Sequence, residues 1–342
     1  MSNKQIKIRD VAMAAGVSES TVSRVLSGNK RISEKTRQKV MKIVDEMGYR
    51  PNAIATSLAR NRSNSIGIVI PDSDNEFYST TFFQEALRGI STVVSDNGYD
   101  VLISSGRPDE VTALKELVAR RKVDGVILMR SHIKDQSIRF LHESKFPFVL
   151  IGTSVEYDDV YSVDNDNFGA AFELTKHILG QNRRNIAFIG GGSNFVYTME
   201  RLRGYEKCIE SNGAELRKEY VRLDIDTVRK AYEAMSELLQ LKRRPDAVII
   251  TDDTVCAGIM DSIRQNKLNI PDDIAVASFN DSLYNRLSIP PITSISVNSI
   301  ELGRKAAETI CRILSGDSVD IKKIRVDFRL LARDSTILNR LP

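Results

Sequence analysis

The sequence predicts an α plus α/β chain, in which a small helical N-terminal domain precedes a larger α/β body. Residues 8 to 31 have the spacing of two short helices joined by a glycine-containing turn, a helix-turn-helix. Residues 1 to 60 hold 12 Lys or Arg against 5 Asp or Glu, whereas the remainder holds 37 against 40. From Ile66 onward, short apolar runs alternate with amphipathic stretches, which is typical of a sheet covered by helices on both faces.

The first two helices are predicted from their capping residues and their small apolar side chains. Asp10 is expected to start the first helix, Gly16 to supply the turn and Ser18 to cap the second helix. An ordinary helical hairpin shares this local pattern, so both interpretations stay open at this point. The predicted buried residues are Val11, Ala12, Ala15, Val17, Val22, Val25 and Leu26, and the predicted outward ones are Glu19, Ser20, Ser23 and Arg24.

The charge distribution favours nucleic acid as the partner of the N-terminal domain. Its 12 basic and 5 acidic residues give +7, the body gives 37 minus 40 or −3, and the two sum to the chain's +4. Runs of charge are usually solvated surfaces, but here the basic excess coincides with the helix-turn-helix. DNA reading is therefore the first hypothesis for this domain.

A third helix is predicted between Ser33 as its N-cap and Gly48 as its stop, which completes a three-helix bundle. The segment after Pro51 holds few apolar residues, and a single short helix is marginal in water. It is expected to be either a flexible linker or a helix that orders only on DNA. The apolar stripe of the third helix is formed by Val40, Ile43, Val44 and Met47.

Two series of strands are predicted in the body. The first is SIGIVIP, YDVLISS, DGVILM and PFVLIG, and the second is NIAFIGG, DAVIITDD and IAVASFND. Helical segments separate the strands, which predicts parallel pairing. Two such series in about 270 residues exceed a usual single core, so two similar lobes are expected.

The sequence gives little support for a catalytic function. His132, His142 and His177 show no metal-ligand spacing, and no GxSxG or P-loop pattern occurs. The glycine-rich run at 189–193 lacks the lysine of a phosphate cradle, so a strand-end turn explains it better. We expect no enzyme activity, no metal and no cofactor. A polar N-terminus, the lack of a membrane-spanning segment and only three cysteines predict a soluble cytoplasmic protein with reduced thiols.

Several motifs resemble a known family. IRDVAMAAGVSESTVSRVLSG, YRPNAIATSLA and SIGIVIPD resemble the N-terminal signature of the lactose and galactose repressor family of transcription factors. Later motifs occur in the family's order over essentially the whole chain, among them VIITDDTVCAG and IPDDIAVASFND. VDNDNFGAA, ERLRGYEK and SFND together look most like the maltose-operon repressor branch.

This resemblance implies a body with the two-lobed fold of periplasmic sugar-binding proteins, whose chain crosses between the lobes near residues 164, 294 and 325. The implied domains are a helix-turn-helix DNA-binding domain at 1–50, a hinge helix and linker at 51–64, and an effector-binding and dimerisation domain at 65–342. Within the last domain, lobe one spans about 65–164 and 295–325, and lobe two spans about 165–294 and 326–342.

The resemblance also implies which residues contact DNA. Glu19, Ser20 and Arg24 match base-reading positions, and Arg24 is the strongest candidate for a bidentate guanine contact. Leu58 matches the hinge leucine that wedges into a minor-groove step, and Ala55 matches the small residue beside it. An incidental apolar residue in a linker is the alternative for Leu58. The implied phosphate contacts are Ser18, Thr21, Ser23 and Asn29.

A ligand is expected in the cleft where the carboxyl ends of strands from both lobes meet. Arg201 matches the family arginine that donates to ligand hydroxyls or a carboxylate. Phe77 and Tyr78 could stack on a sugar ring, or belong to the core as first-turn aromatics. Acceptors for a polyol are offered by Asp252, Asn280 and Asp281, for which loop capping is the ordinary alternative.

Three positions depart from the family pattern, so the ligand can differ from a simple galactoside. Relatives often carry Asp at the position of Asn280, and a polar residue near Met129 and Gly152. The implied function is a homodimeric repressor of a DNA operator, controlled by a small sugar such as maltose or a maltodextrin. ILNRLP after ARDST contains no apolar heptad tail, which favours a dimer over a tetramer.

Two alternatives remain. One is a global carbon catabolite regulator, controlled by a phosphorylated carrier protein that docks on the first lobe. The other belongs to a different class: a cytosolic sugar-binding or sugar-processing protein that uses only the two-lobed body. Deleting residues 1 to 60 separates them, because a sugar-processing activity would survive and a repressor would not.

Overall fold

The computed structural model describes residues 6–26, 31–50, 62–71 and 80–337 of the 342-residue chain. These belong to two units, Met1–Ser63 and Asn64–Pro342. Five residues singled out from the sequence lie outside the described ranges, and their expected roles stay predictions; they are Asn29, Ala55, Leu58, Phe77 and Tyr78.

The N-terminal unit contains the three predicted helices, α1 (Ile8–Ala15), α2 (Glu19–Leu26) and α3 (Glu34–Met47). Gly16 ends α1 with φ 63°, a left-handed conformation that glycine adopts without strain. Ser18 Oγ accepts a hydrogen bond from the Thr21 amide at 3.2 Å, so Ser18 caps α2 as predicted. The α-helical bundle with its helix-turn-helix is thereby confirmed.

One detail of the first helix differs from the prediction. The helix begins at Ile8, two residues before Asp10, and Lys7 is its N-cap. The Asp10 carboxylate instead accepts from the Lys7 backbone amide at 2.8 Å, which satisfies a donor that the helix end would leave unpaired. The bundle's core consists of Val11, Ala12, Ala15, Val22, Val25, Val40, Val44 and Tyr49.

The first half of the body, lobe one, is built on a six-stranded sheet with strands β1 (Ser65–Pro71), β2 (Asp100–Gly106), β3 (Gly125–Leu128), β4 (Phe148–Ile151), β5 (Ser162–Asn165) and β11 (Lys323–Val326). The strand order is β11-β5-β4-β3-β1-β2, and all the pairs are parallel. One face is covered by α4 (Thr81–Asp96) and α12 (Ser299–Ser315), and the other by α5 (Glu110–Ala119) and α6 (Gln136–Glu143).

The second half, lobe two, repeats this plan with β6 (Ile186–Ile189), β7 (Val221–Arg222), β8 (Ala247–Ile250), β9 (Ala275–Phe279), β10 (Thr293–Ser296) and β12 (Arg329–Leu331). Its order is β12-β10-β9-β8-β6-β7, with β12 antiparallel to β10. Helices α7 (Asn167–Gly180) and α8 (Val196–Ser211) cover one face, and α9 (Val228–Leu239) and α10 (Cys256–Gln265) the other. A short helix, α11 (Leu283–Leu287), follows β9.

The apolar runs of the sequence become strands because both faces of each sheet are covered. All four residues of β3, β4, β6 and β8 are buried, as expected for parallel strands between helix layers. Close helix pairs complete the layers. At Gly303 of α12 a Cβ atom would lie 2.0 Å from the Ala86 carbonyl oxygen of α4, so only glycine permits this approach.

The chain passes between the lobes three times: between β5 and α7, between β10 and α12, and between β11 and β12. A buried side-chain amide joins these three passages. Asn165 Nδ2 donates to the carbonyl oxygen of Val297 at 3.0 Å and to that of Val326 at 2.8 Å. The three connections are therefore tied at one point, about which the lobes can rotate as bodies. No helix within the described ranges is long and apolar enough to cross a membrane.

Candidate functional site

The exposed face of α2 is the first candidate site. Glu19, Ser20, Ser23 and Arg24 are all exposed, while Val22 on the opposite side is fully buried. This separation follows from the helical period, since the core of the bundle takes the apolar side chains. A face that carries a guanidinium, a carboxylate and hydroxyls offers the donors and acceptors that base edges present in a major groove.

A cleft in the body is the second candidate site. It lies at the carboxyl ends of β3, β4 and β5 from lobe one and of β8 and β9 from lobe two, where parallel strand ends leave a crevice. Its empty space, including the open mouth, is about 740 Å³. Polar lining residues include Arg130, Ser131, Thr153, Asp164, Asn167, Tyr197, Arg201, Thr251, Asp252 and Asn280.

Arg201 is the central cation of the cleft. It lies on α8, only 6% of its surface is exposed, and its guanidinium carbon stacks 4.0 Å from the ring centre of Phe279. Nε donates to Asn167 Oδ1 at 2.9 Å and Nη1 to the Thr251 carbonyl oxygen at 2.7 Å. Burial lowers the pKa of Arg201 to about 10, against the opposing effects of Tyr197 and of nearby aspartates. The side chain is therefore protonated at neutral pH, and among the described residues no group accepts from Nη2, which can donate to a ligand.

Asp164, at the end of β5, is the buried acid that partly balances this cation. Its Oδ2 accepts from Thr153 Oγ1 at 2.8 Å, and its Oδ1 from the Asn165 amide at 2.7 Å and Asn167 Nδ2 at 3.0 Å. Burial raises the pKa of Asp164, although these hydrogen bonds and Arg201 act in the opposite direction. Asn167 thus links the acid of lobe one to the arginine of lobe two.

Asp252 and Asn280 line the cleft at the ends of β8 and β9, where the sequence placed them. Asp252 Oδ1 caps the short helical turn after it, accepting from the Thr254 amide at 3.0 Å. Asn280 Nδ2 donates to the buried Asp253 at 2.9 Å, which leaves its amide oxygen as an acceptor. Burial, and then the charge of Asp252, raise the pKa of Asp253 to about 6.

For Asp281 the structure gives a different role from the expected one. It is not among the lining residues in the described part of the cleft, and its carboxylate accepts from Arg333 Nη2 at 2.6 Å. A second arginine, Arg286, lies 3.3 Å away. Because φ is 74° at Asn280 and 48° at Asp281, two adjacent left-handed residues form the turn, and the ion pair holds it.

The apolar part of the cleft consists of aromatic and aliphatic side chains from lobe one together with Tyr197. Met129 and Gly152, two positions where this chain departs from the family pattern, both line it. Gly152 has φ 128°, and a Cβ there would lie 3.1 Å from Ser131 Oγ, so position 152 itself contributes no side chain to this wall. The other apolar lining residues are Phe82, Phe83, Ile151 and Leu302.

Sequence reasoning missed Asp164, Asn167 and Tyr197 as lining residues. The first two belong to VDNDNFGAA, which was noted only as a family motif and not as a site. Their signal is a cluster of four Asp and Asn residues, 164–167, where a short strand ends and the next helix begins. Tyr197 lies one helical turn before Arg201, and this spacing places both side chains on the same face of α8.

The side chains that line the cleft suit the binding of a small ligand. Alternating donors and acceptors beside aromatic surface fit a neutral polyhydroxylated ligand. Within the described ranges no group of three or more His, Cys, Asp or Glu residues could hold a metal ion. The three cysteines are buried, and burial raises the pKa of each thiol.

Comparison with known proteins adds to this geometry. The family model for bacterial regulatory proteins of the lacI family matches residues 7–52, and the model for the periplasmic binding protein-like domain matches residues 175–336. The HTH-type transcriptional regulator MalR of Streptococcus pneumoniae is 34% identical over 328 residues, covering 93% of this chain and 95% of the relative.

Solved structures extend the similarity over both units. A transcriptional regulator CelR–cellobiose complex is 28% identical and has a TM-score of 0.75, covering 96% of this chain and 99% of that one. The lac repressor dimer bound to operator and the anti-inducer ONPF has a TM-score of 0.83 at 23% identity, covering 98% of this chain and 100% of that one, which shows the shared fold.

A helix-turn-helix domain joined to a two-lobed body of the periplasmic-binding type is the architecture of a transcriptional regulator, and not of an enzyme. A relative that is 34% identical along almost the whole chain then identifies the particular family. The chain belongs to the lacI family of bacterial regulatory proteins.

Proposed function

We propose that this chain is a transcriptional repressor that binds its operator as a homodimer and that a sugar, maltose or a maltodextrin, controls its operator affinity from the cleft. The observation that carries this proposal is Arg201, a buried arginine that Asn167 and Thr251 fix and whose Nη2 has no acceptor within the described part of the chain. The 34% identity to MalR supports maltose as the first sugar to test.

On the DNA side, α2 is the recognition helix of the proposal. Glu19, Ser20 and Arg24 read base edges, with Arg24 donating to guanine, while hydroxyls beside them touch phosphate. Their common exposure on one helix face supports this assignment. Ser18, Thr21, Ser23 and Asn29 are the proposed phosphate contacts, and Ala55 and Leu58 the proposed minor-groove contacts.

In the cleft, each polar group has a proposed partner on a sugar. Arg201 Nη2 donates to a hydroxyl, whereas Asp252 and the Asn280 amide oxygen accept from hydroxyls. Tyr197 and the phenylalanines of lobe one cover the apolar face of a pyranose ring. A ligand that contacts both lobes selects one lobe arrangement, and this shifts the population of DNA-binding-competent molecules.

The proposed homodimer has a candidate surface in lobe two. Large apolar side chains are exposed on α11 and just after it, with Leu287 at 71% and Ile289 at 94% exposure. Leu283 and Tyr284 extend the same patch, beside a groove against α10. Contiguous exposed apolar surface marks interaction sites, and a two-fold dimer suits a palindromic operator. Because such a regulator acts on DNA, we place it in the cytoplasm.

The test is operator binding by fluorescence anisotropy at fixed salt, on a palindromic site obtained by selection. Fixed salt is needed because phosphate contacts make the affinity strongly salt-dependent. The titration is repeated with maltose, maltotriose and phosphorylated sugars. The Arg24→Ala variant is the DNA control, with a loss of about 1–3 kcal/mol for the selected site and little change on unrelated DNA.

Release of the operator by maltose or maltotriose supports the proposal. If no sugar alters operator affinity, the sugar assignment fails, and a phosphorylated carrier protein becomes the signal to test. A sugar-processing activity that survives deletion of residues 1 to 60 would instead indicate the enzyme alternative.

A further inference from the structure

A contact joins the two lobes beside the cleft, separate from the three covalent passages. Residues 131–133, which follow β3 in lobe one, run antiparallel to residues 194–196, which lead into the first residue of α8 in lobe two. The Ile133 amide donates to the Asn194 carbonyl oxygen at 2.8 Å, and the Val196 amide to the Ser131 carbonyl oxygen at 3.2 Å. This is a short backbone bridge that can form only while the lobes are close together.

Side chains stack over this bridge. The His132 ring of lobe one lies 4.8 Å from the Phe195 ring of lobe two, tilted by 32°. The guanidinium carbon of Arg130 lies 4.8 Å from the centre of the same Phe195 ring. Asp135 fixes the position of His132, because Asp135 Oδ2 accepts a hydrogen bond from the His132 amide at 2.9 Å and lies 3.4 Å from His132 Nδ1.

The stack continues from this bridge into the cleft. Phe195 and Tyr197 are 5.4 Å apart with nearly parallel rings, at an interplanar angle of 13°. Tyr197 in turn has the Arg201 guanidinium carbon 5.1 Å from its ring centre. A continuous series of stacked groups thus connects His132 of lobe one with Arg201, the arginine that we assign to the ligand.

We propose that His132 and Phe195 form a latch that holds the lobes in their closed arrangement and positions Tyr197 and Arg201 for the ligand. This inference rests on the proposed function of the cleft as an effector site. Because a ligand that contacts both lobes needs them closed, the latch prepares the cleft before binding. It regulates the site without itself touching the ligand.

The size of the effect follows from the ring contact. A tilted or stacked aromatic pair shifts an equilibrium, here the one between open and closed lobes, by about 2- to 12-fold beyond the effect of apolar burial alone. Removing the Phe195 ring deletes its contacts with His132, Arg130 and Tyr197 together, while the backbone bridge remains. Weakening of sugar binding by this factor, through faster dissociation, is expected of Phe195→Ala.

The chain provides a matched control. His142 stacks on Tyr157 at 4.1 Å with a tilt of 30°, and His142 Nε2 lies 2.9 Å from Asp159. This pair has the same chemistry as His132 with its aromatic and aspartate partners, but both of its members belong to lobe one. His142→Ala therefore removes an equivalent stack without touching the cleft.

The experiment measures lobe closure directly by pulsed dipolar spectroscopy on the full chain. Spin labels are attached at Asp96→Cys in lobe one and Lys242→Cys in lobe two, two exposed positions, and the three native cysteines are buried. Distance distributions are recorded without ligand and with saturating maltose for wild type, Phe195→Ala, His132→Ala and His142→Ala. Maltose dissociation constants are measured in parallel, and thermal unfolding confirms that each variant folds.

The latch is supported if Phe195→Ala and His132→Ala change the distance distribution in either state while His142→Ala matches wild type. It is overturned if Phe195→Ala matches wild type in both states, even where maltose affinity falls. An equal change in His142→Ala also overturns it, because the effect would then be general loosening. Should wild type bind no maltose, the proposed effector fails, whereas the ligand-free distances still decide the latch.

Discussion

Replacing Arg201 by methionine should weaken ligand sensing strongly at a modest cost in stability. The structure explains this through two opposing contributions. Burial lowers the pKa of Arg201 from its ordinary value to about 10, so the folded protein stabilises the charged form of this side chain less than the unfolded chain does. The penalty applies at every pH below 10, and at about 1.4 kcal/mol per pKa unit it amounts to about 3 kcal/mol.

The opposing contribution comes from the groups that Arg201 satisfies. Its removal leaves Asn167 Oδ1 and the Thr251 carbonyl oxygen without their donors, at about 1–3 kcal/mol each. The neutral methionine removes the burial penalty at the same time. The two unpaired acceptors cost about 2–6 kcal/mol and the removed penalty offsets about 3, so we expect the free energy of unfolding to fall by no more than about 3 kcal/mol, the lower end of the about 3–5 kcal/mol typical of breaking a buried pair.

Ligand affinity should respond far more strongly. A hydrogen bond from a charged donor contributes about 1.5–3 kcal/mol, which corresponds to a roughly 10- to 140-fold weaker sugar complex. Isothermal calorimetry and urea unfolding measure the two quantities on the same variant. Arg203→Met is the control, because Arg203 lies on the same helix, is exposed and forms a surface ion pair with Glu200.

Two results would refute this reasoning. A sugar affinity within about twofold of wild type would mean that Arg201 does not contact the ligand. A loss of more than about 5 kcal/mol in stability would mean that Arg201 acts chiefly as a structural ion partner.

Three further predictions concern other parts of the body. Burial, and then the charge of Asp252, raise the pKa of Asp253 to about 6. The contribution of the protonated Asp253 side chain to the free energy of unfolding is therefore present below pH 4 and is lost as the pH rises through 6. Asp253→Asn should flatten this pH dependence of stability in thermal unfolding. Arg333→Met removes the closer of the two arginines that pair with the buried Asp281 carboxylate, while Arg286 stays 3.3 Å away, so it should cost about 1.5–3 kcal/mol in urea unfolding. Leu287→Glu should shift the chain from dimer to monomer in analytical ultracentrifugation, since Leu287 is 71% exposed on the apolar patch.

Each of these predictions has a contradicting outcome. The same pH profile in Asp253→Asn and wild type would show that another group titrates there. Lys323→Met removes an exposed ion-pair partner of Asp158 and serves as the control for Arg333→Met, with an expected loss of stability below about 1 kcal/mol. If both variants lost the same stability, burial of the Asp281 ion pair would not explain its contribution. A Leu287→Glu protein that stays dimeric would place the interface elsewhere.

The N-terminal unit was predictable because its determinants are local. Gly16, Ser18 and Ser33 act within a few residues of their own positions, and the structure confirms all three. The error at Asp10 is also local. An aspartate can cap a helix from its N-cap position or from three residues further on, and the sequence does not distinguish these two geometries.

The body was predictable only in part. Seven apolar runs were identified as strands, but β5, β10, β11 and β12 are three or four residues long and contain polar side chains, so their pattern is weak. The tie at Asn165 joins carbonyls 132 and 161 residues away, which no local pattern reports. Arg201 was found only through family resemblance, and the pairing of Asp281 with Arg333 needed the folded chain.

The measurement that tests the central claim most directly is the anisotropy titration of the selected operator with maltose, run in parallel on wild type and Arg201→Met. The account predicts that maltose releases wild type from DNA and that Arg201→Met binds the operator equally well but is released only at a roughly 10- to 140-fold higher maltose concentration. Release of both proteins at the same maltose concentration would contradict it, because control would then not pass through the cleft.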